Sequence, residues 1–87
     1  MKIKGSFVMR QVVGEYILVP VEDTALEFNG MISLNPVSAF IWQQLEQGRT
    51  QEQILGAVLE EFDVDRDTAK RDLQEFLQQL RDKNFLE

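Results

Sequence analysis

The chain changes the spacing of its apolar residues at Asn35-Pro36, and this change limits the possible folds more than any other feature of the sequence. Before this pair, short runs of β-forming residues alternate with turn residues, as strands and hairpins do. After it, apolar residues recur with the spacing of amphipathic helices. Strands followed by helices, without alternation between them, predict an α+β domain in which helices cover one face of a small antiparallel sheet.

The first two strands are predicted on either side of Gly14-Glu15. Residues 7–13 and residues 15–20 are rich in β-forming side chains, and the glycine supplies a short turn between them. Pro20 suits the end of a strand, since it has no N–H group to donate to a neighbouring strand. These features predict a β-hairpin near the N-terminus.

A second tight turn is predicted at Asn29-Gly30, which separates the apolar residues 25–28 from residues 31–34. Asn-Gly is a strong hairpin signal because both residues tolerate the positive φ angles of a type I′ turn. Residues 7–34 then form an antiparallel meander of about three to four strands, with 31–34 as the last one. In an alternative arrangement, 25–28 is an irregular excursion and 31–34 pairs directly with 15–20.

The rest of the chain is predicted to form three helices, in a winged helix-turn-helix-like order, at about residues 36–47, 51–62 and 66–83. Asn35 is suited to cap the first helix, since its side chain accepts hydrogen bonds from free backbone N–H groups. Thr50 begins a capping-box pattern for the second. Either Asp65 or Asp67 caps the third.

The composition removes most of the usual chemistry of enzymes. The sequence contains no Cys and no His, so it has no disulfide, no thiolate metal site and no histidine base. These absences do not exclude an enzyme but make it the least expected class, and we expect no catalytic residue, no metal and no cofactor. Nine Lys and Arg against fifteen Asp and Glu give a net charge of −6, which opposes nucleic-acid binding because phosphates are bound mainly by cations.

The same sequence predicts a cytoplasmic protein without membrane contacts. No apolar run approaches the roughly 20 residues that a membrane-spanning helix needs, and the basic start of the chain precedes no signal-peptide apolar region. Residues 1–87 are expected to form a single domain, because the chain is too short for two independent cores.

The predicted last strand, Met31-Ile32-Ser33-Leu34, carries no charge and no proline. If the strand order follows the chain, this strand lies at the edge of the sheet with unpaired N–H and C=O groups. Such edges are usually protected by charge, proline or a covering element. Either the third helix or the C-terminal tail covers this edge, or the edge accepts an extended peptide as an additional strand.

Several short motifs follow one another from this strand to the third helix. They are Phe28-Asn29-Gly30-Met31-Ile32-Ser33-Leu34-Asn35, Phe40-Ile41-Trp42 with Leu45, Gly48-Arg49-Thr50, Phe62-Asp63-Val64-Asp65, and Asp72, Leu73, Phe76, Leu77 and Leu80. In this order and spacing they resemble the PqqD family of coenzyme PQQ synthesis, and the resemblance covers about residues 7–86. It implies a recognition element for ribosomally synthesised, post-translationally modified peptides (RiPPs). Such a peptide chaperone is not an enzyme: it binds the leader of a precursor peptide and presents it to a modifying enzyme, often a radical SAM protein.

The resemblance also implies where the leader binds: as an added strand in the groove between the last strand and the third helix. The candidate peptide-binding residues are Met31, Ile32, Ser33 and Leu34 on the strand, and Lys70, Leu73, Gln74, Leu77 and Arg81 on the helix. On a helical wheel centred on Leu73, the helix has two rims. The basic rim consists of Lys70, Gln74, Leu77 and Arg81, and the second rim consists of Asp72, Phe76 and Lys83. We prefer the basic rim because leader peptides of this class are often acidic.

Two other functions agree with the same pattern of strands and helices. A small winged-helix-like DNA-binding or regulatory protein would bind with an affinity that falls steeply with salt. A dimerisation module that pairs edge strand to edge strand would show a mass that depends on concentration.

Overall fold

The computed structural model describes residues 1–28 and 30–87, and its sheet precedes its long helices, as predicted. The elements are β1 (Phe7–Val12), β2 (Glu15–Pro20), α1 (Asp23–Glu27), β3 (Ile32–Leu34), α2 (Pro36–Glu46), α3 (Gln51–Glu61) and α4 (Arg66–Asp82). The α+β prediction is confirmed. The bounds of α2, α3 and α4 agree with the three predicted helices to within one residue.

β2 is the central strand of the sheet, which is antiparallel with the order β1-β2-β3. β1 pairs with β2 along its whole length, which confirms the predicted hairpin. On the other side, Tyr16 pairs with Leu34 and Leu18 pairs with Ile32. Because side chains alternate between the two faces of a strand, these four lie on one face, and Leu18 and Leu34 are buried there.

Residues 25–28 do not form the strand of the first predicted arrangement. Asp23–Glu27 forms the short helix α1, in which no residue is buried and Leu26 is 86% exposed. The alternative arrangement, in which β3 pairs directly with β2, is confirmed. The predicted Asn29-Gly30 turn includes Asn29, which lies outside the described residues.

Contacts to distant parts of the chain hold α1 in place. The hydroxyl oxygen of Thr24 accepts a hydrogen bond from the backbone N–H of Ser6 at 2.8 Å. Next to the helix, the ring of Phe28 packs edge to face on Phe85, with 4.9 Å between ring centroids. These partners are remote in sequence, which explains why the local pattern predicted a strand instead.

The predicted helix caps are present. The side chain of Asn35 accepts a hydrogen bond from the backbone N–H three residues ahead at 2.8 Å. Thr50 and Gln53 form the reciprocal capping box at the start of α3. Of the two candidates for α4, Asp65 is the cap and Asp67 lies in the first turn.

The hydrophobic core lies between the inner face of the sheet and the long helices. Trp42 is 1% exposed, because α2 is the central helix of the fold. Its ring packs edge to face on Phe7 at 5.2 Å between centroids. α4 adds a buried stripe that consists of Ala69, Leu73, Phe76, Leu77 and Leu80.

The two ends of the chain meet beside this core. Ile3 forms an isolated antiparallel bridge with Leu86, and the backbone N–H of Lys4 donates to the carbonyl oxygen of Phe85 at 2.9 Å. These contacts anchor the C-terminal residues that follow α4. Among the helices described, none has the length and apolar character needed to cross a membrane.

Candidate functional site

β3 occupies an edge of the sheet. It pairs with β2 on one side, and within residues 1–28 and 30–87 no strand pairs with its other side. The predicted edge position is thus confirmed for Ile32–Leu34, while Met31 lies just before the strand and is 67% exposed. Unpaired N–H and C=O groups along such an edge are able to bind an extended peptide.

A groove of about 360 Å³ lies beside this edge, between β3, the start of α2 and α4. Its lining comes from three elements: Ser33, Leu34 and Asn35 from β3 and the residue after it, Val37, Ser38 and Ile41 from α2, and Asp72, Glu75, Phe76 and Gln79 from α4. The groove therefore combines a free strand edge with a helix that runs alongside it.

Most of the accessible lining of the groove is polar, and a small apolar part lies beneath its polar rim. Leu34, Ile41 and Phe76 are buried members of the core, so packing holds their side chains in place. Asp72 and Glu75 place two carboxylates on the α4 rim. A fixed apolar surface below a polar rim suits a peptide that offers apolar side chains on one face and polar ones on the other.

The structure does not bring the preferred basic rim of α4 together with β3. Lys70 and Leu73 line another cavity, of about 290 Å³, formed with residues of α3. Leu73 and Leu77 are buried in the core, and Gln74 and Arg81 are exposed. None of these side chains lines the groove beside β3. Their contact with a peptide stays a prediction.

Helix geometry explains this separation. At about 100° per residue, Lys70 and Arg81 lie roughly 160–180° around α4 from Asp72 and Gln79. They point away from β3 because the buried stripe of α4 lies between the two rims. Of the second rim considered from the sequence, Asp72 and Phe76 do line the groove.

Sequence reasoning missed Glu75 and Gln79 on α4 and the α2 residues Val37, Ser38 and Ile41. A signal for the α4 pair was present: positions 72, 75, 76 and 79 have the i, i+3, i+4, i+7 spacing of a single helix face. The α2 residues had no such signal. They reach the groove because α2 packs against both β3 and α4, which is a tertiary contact.

Metal chemistry receives no support from the described residues. Across those positions, no group of three Asp or Glu side chains is placed to hold a metal ion. The groove therefore offers backbone hydrogen bonds, an apolar surface and two carboxylates.

These features define a small α+β domain with an accessible sheet edge, a class of fold that is able to bind an extended peptide by strand addition. Comparison with protein families identifies its relatives. The chain belongs to the PqqD family, described as coenzyme PQQ synthesis protein D, and the match covers residues 15–86. Comparison with curated protein sequences finds no match.

Two solved structures resemble the whole chain. The first is TbiB1 in complex with the TbiA(beta) leader peptide, at 34% identity and a TM-score of 0.77, covering 100% of this chain and 95% of that one. The second is lasso peptide synthetase B1 complexed with the leader peptide, at 19% identity and a TM-score of 0.73, covering 97% of this chain and 93% of that one. The second likeness supports the fold alone.

Proposed function

We propose that this protein binds the leader of a ribosomally made precursor peptide and presents it to a modifying enzyme. The leader adds to the free edge of β3 as a further antiparallel strand and packs side chains into the groove against α4. The observation that carries this function is the open edge of Ile32–Leu34 beside a groove with a buried apolar floor. TbiB1, which is 34% identical to this chain, has the same fold and its structure contains the TbiA(beta) leader peptide.

The division of work between the domain and its partner follows from the chemistry of the groove. Backbone hydrogen bonds along β3 supply affinity that does not depend on the sequence of the peptide. The apolar floor of the groove selects peptide side chains at alternate positions. The domain supplies no catalytic group, and the modifying enzyme, such as a radical SAM protein, carries out the reaction. The proposed location is the cytoplasm, where a newly made precursor is first available.

The expected affinity is moderate. The groove accommodates only a short peptide segment, so the buried area lies at the low end for specific complexes. Each strand hydrogen bond contributes about 1 kcal/mol net. The expected dissociation constant is micromolar to submicromolar, which requires about 8 kcal/mol or more, so the strand hydrogen bonds supply only part of the affinity.

The test is an NMR titration of the backbone amides with a synthetic leader peptide, using the TbiA(beta) leader as the first probe. We expect shifts at Ile32–Leu34 and on the groove side of α4 at Glu75 and Gln79. Shifts confined to Lys70 and Arg81 would instead support the basic rim. An absence of shifts with this leader and with leaders encoded beside the gene would contradict the proposed function.

Two variants separate the rims in the same assay. Glu75→Lys together with Gln79→Lys changes the groove side of α4, and we expect it to change peptide affinity. Lys70→Glu together with Arg81→Glu changes the opposite side and should leave affinity unaltered if the leader lies against β3. Light scattering of the free protein tests edge-to-edge dimerisation, and a titration with duplex DNA at low salt tests nucleic-acid binding.

A further inference from the structure

A second cavity lies at the C-terminal end of α4, where the chain approaches β3. It has a volume of about 330 Å³ and is lined by Lys4, Gly5, Thr24, Glu27, Phe28, Lys83, Asn84 and Phe85. Two aromatic rings provide its apolar part. Two lysines and one glutamate provide its charge, so the cavity is cationic by one unit.

Both lysines have positions that the structure defines. The ammonium group of Lys4 donates a hydrogen bond to the side-chain oxygen of Asn84 at 3.0 Å. The ammonium nitrogen of Lys83 lies 6.0 Å from the centroid of the Phe28 ring. These contacts hold two cations at the same end of the domain, on residues that are otherwise exposed to solvent.

The groove and this cavity share one face of α4. Lys83 follows Gln79 by four positions and Phe76 by seven, and its backbone is still helical at the C-cap. The helix face that lines the groove therefore continues to Lys83. Glu75 lies on the same face one turn before Gln79.

The residues opposite α4, before and along β3, also divide between the two cavities according to their position in the chain. Phe28, which precedes β3, lines the cationic cavity, whereas Leu34 at the end of β3 lines the groove with Asp72 and Glu75. This order places the carboxylates at the C-terminal end of β3, and the ammonium groups, with Glu27 beside them, at the end that precedes β3. The two ends are defined by Asp72 and Glu75, and by Lys4 and Lys83.

We propose that this groove selects leader segments with two opposite charges in a fixed order: a basic side chain beside Asp72 and Glu75, and an acidic side chain beside Lys4 and Lys83. This inference rests on the proposed function, because it concerns the peptide bound at the same edge. β3 runs from the cationic end to the anionic end. An antiparallel peptide therefore places its basic residue nearer its N-terminus and its acidic residue nearer its C-terminus.

The spacing of the two charges follows from helix and strand geometry. Eight residues separate Glu75 from Lys83, which corresponds to about 12 Å along α4 at 1.5 Å per residue. An extended peptide covers this distance in about four residues at 3.4 Å each. An even separation also places both side chains on the same face of the added strand. The pattern is a Lys or Arg followed about four positions later by an Asp or Glu.

The expected discrimination is modest, since these charges are largely exposed and salt screens them. A matched peptide gains two attractive pairs, and a peptide with the two charges exchanged meets two repulsive pairs. We expect their affinities to differ about tenfold at low salt and much less at high salt.

The experiment is a selection from a displayed library of random peptides on the immobilised protein, followed by fluorescence anisotropy of the enriched sequences. The selection is repeated with a charge-reversed protein carrying Asp72→Lys, Glu75→Lys, Lys4→Glu and Lys83→Glu, which keeps the net charge. A control carries Glu46→Lys, Glu60→Lys, Arg10→Glu and Arg49→Glu, which makes the same exchange at exposed positions outside both cavities. Circular dichroism confirms that each protein is folded.

Enrichment of the basic-then-acidic pattern with the wild type and the control, and of the reversed pattern with the charge-reversed protein, supports the proposal. Enriched peptides that bind the β3 edge in the NMR assay but lack this pattern overturn the charge selection and leave the proposed function standing. If no peptide is enriched by any folded protein and no leader binds, both the proposed function and this inference fail.

Discussion

Phe85 joins three separate parts of the chain through its ring. Its ring packs edge to face on Phe7 at 4.6 Å and on Phe28 at 4.9 Å between centroids, and Phe7 in turn packs on Trp42. Such pairs contribute beyond the area they bury, because the positive edge of one ring meets the negative face of another. This residue after α4 therefore stabilises the N-terminal strand, α1 and the core together.

Phe85→Ala is expected to lower the free energy of unfolding by about 3–5 kcal/mol, because the ring is 3% exposed and its removal leaves a cavity among aromatic side chains. Urea denaturation followed by circular dichroism measures the change. Phe85→Leu is the control, and it should cost less because it retains most of the volume. Equal losses for the two variants would contradict the role of the lost volume.

Asp65 has a pKa below its ordinary value, because hydrogen bonds from Thr68, chiefly from its side chain, favour the carboxylate. A lowered folded-state pKa means that the stabilising contribution is complete above the unfolded-state pKa and disappears as the pH falls through the folded-state value. We expect the thermal midpoint of the wild type to exceed that of Asp65→Asn at neutral pH. The difference should shrink on acidification. A difference that is constant with pH would contradict this origin.

At the scale of elements, the capping signals in the sequence predict where the long helices begin, whereas the local pattern at α1 predicts a strand. The capping box of Thr50 and Gln53 involves residues three positions apart, so its signal is local and survives in any fold. α1 depends on Thr24 binding to Ser6, eighteen positions away. A local pattern contains no information about such a contact.

The same distinction applies to the candidate site. β3 could be placed at the sheet edge on the assumption that the order of the strands in the sheet follows the chain. The side of α4 that faces it could not, since a helical wheel places Lys70 and Asp72 equally well beside the buried stripe. The face of α4 that lines the groove beside β3 carries Asp72 and Glu75, because α2 packs against both β3 and α4.

Strand addition on β3 makes a specific prediction for the peptide backbone. In an antiparallel pair, only alternate residues of the added strand direct their N–H and C=O groups toward β3. N-methylation of these peptide amides should weaken binding about tenfold each, since one hydrogen bond of about 1 kcal/mol is lost and the methyl group adds a clash. Anisotropy measures the affinity. Methylation at the intervening positions is the control, and equal effects at all positions would refute strand pairing.

At the scale of the whole molecule, one continuous core joins the sheet to the long helices. Leu18 from β2, Ile41 from α2 and Leu77 from α4 belong to the same cluster of buried side chains. The bridge between Ile3 and Leu86 ties the two ends of the chain beside it. The groove is therefore not an independent unit, because its floor is the surface of this core.

Unfolding is therefore expected to be a single cooperative transition. The sequence contains one Trp, and Trp42 is buried at the centre of the fold, so its fluorescence reports on the core. Leu77→Ala should lower the free energy of unfolding by about 2–5 kcal/mol, because Leu77 is 0% exposed. The midpoints from fluorescence and from far-ultraviolet circular dichroism should shift together. Separate midpoints would indicate that sheet and helices unfold independently.

The sequence by itself determined the order of strands and helices and the caps of α2 and α3, and it narrowed the cap of α4 to two residues. All of these depend on periodicity and on residues a few positions apart. The tertiary structure alone decided the form of residues 23–27, the face of α4 beside β3 and the arrangement of carboxylates and lysines at opposite ends of that face. Each of these results from packing between segments far apart in the chain, which local spacing does not record.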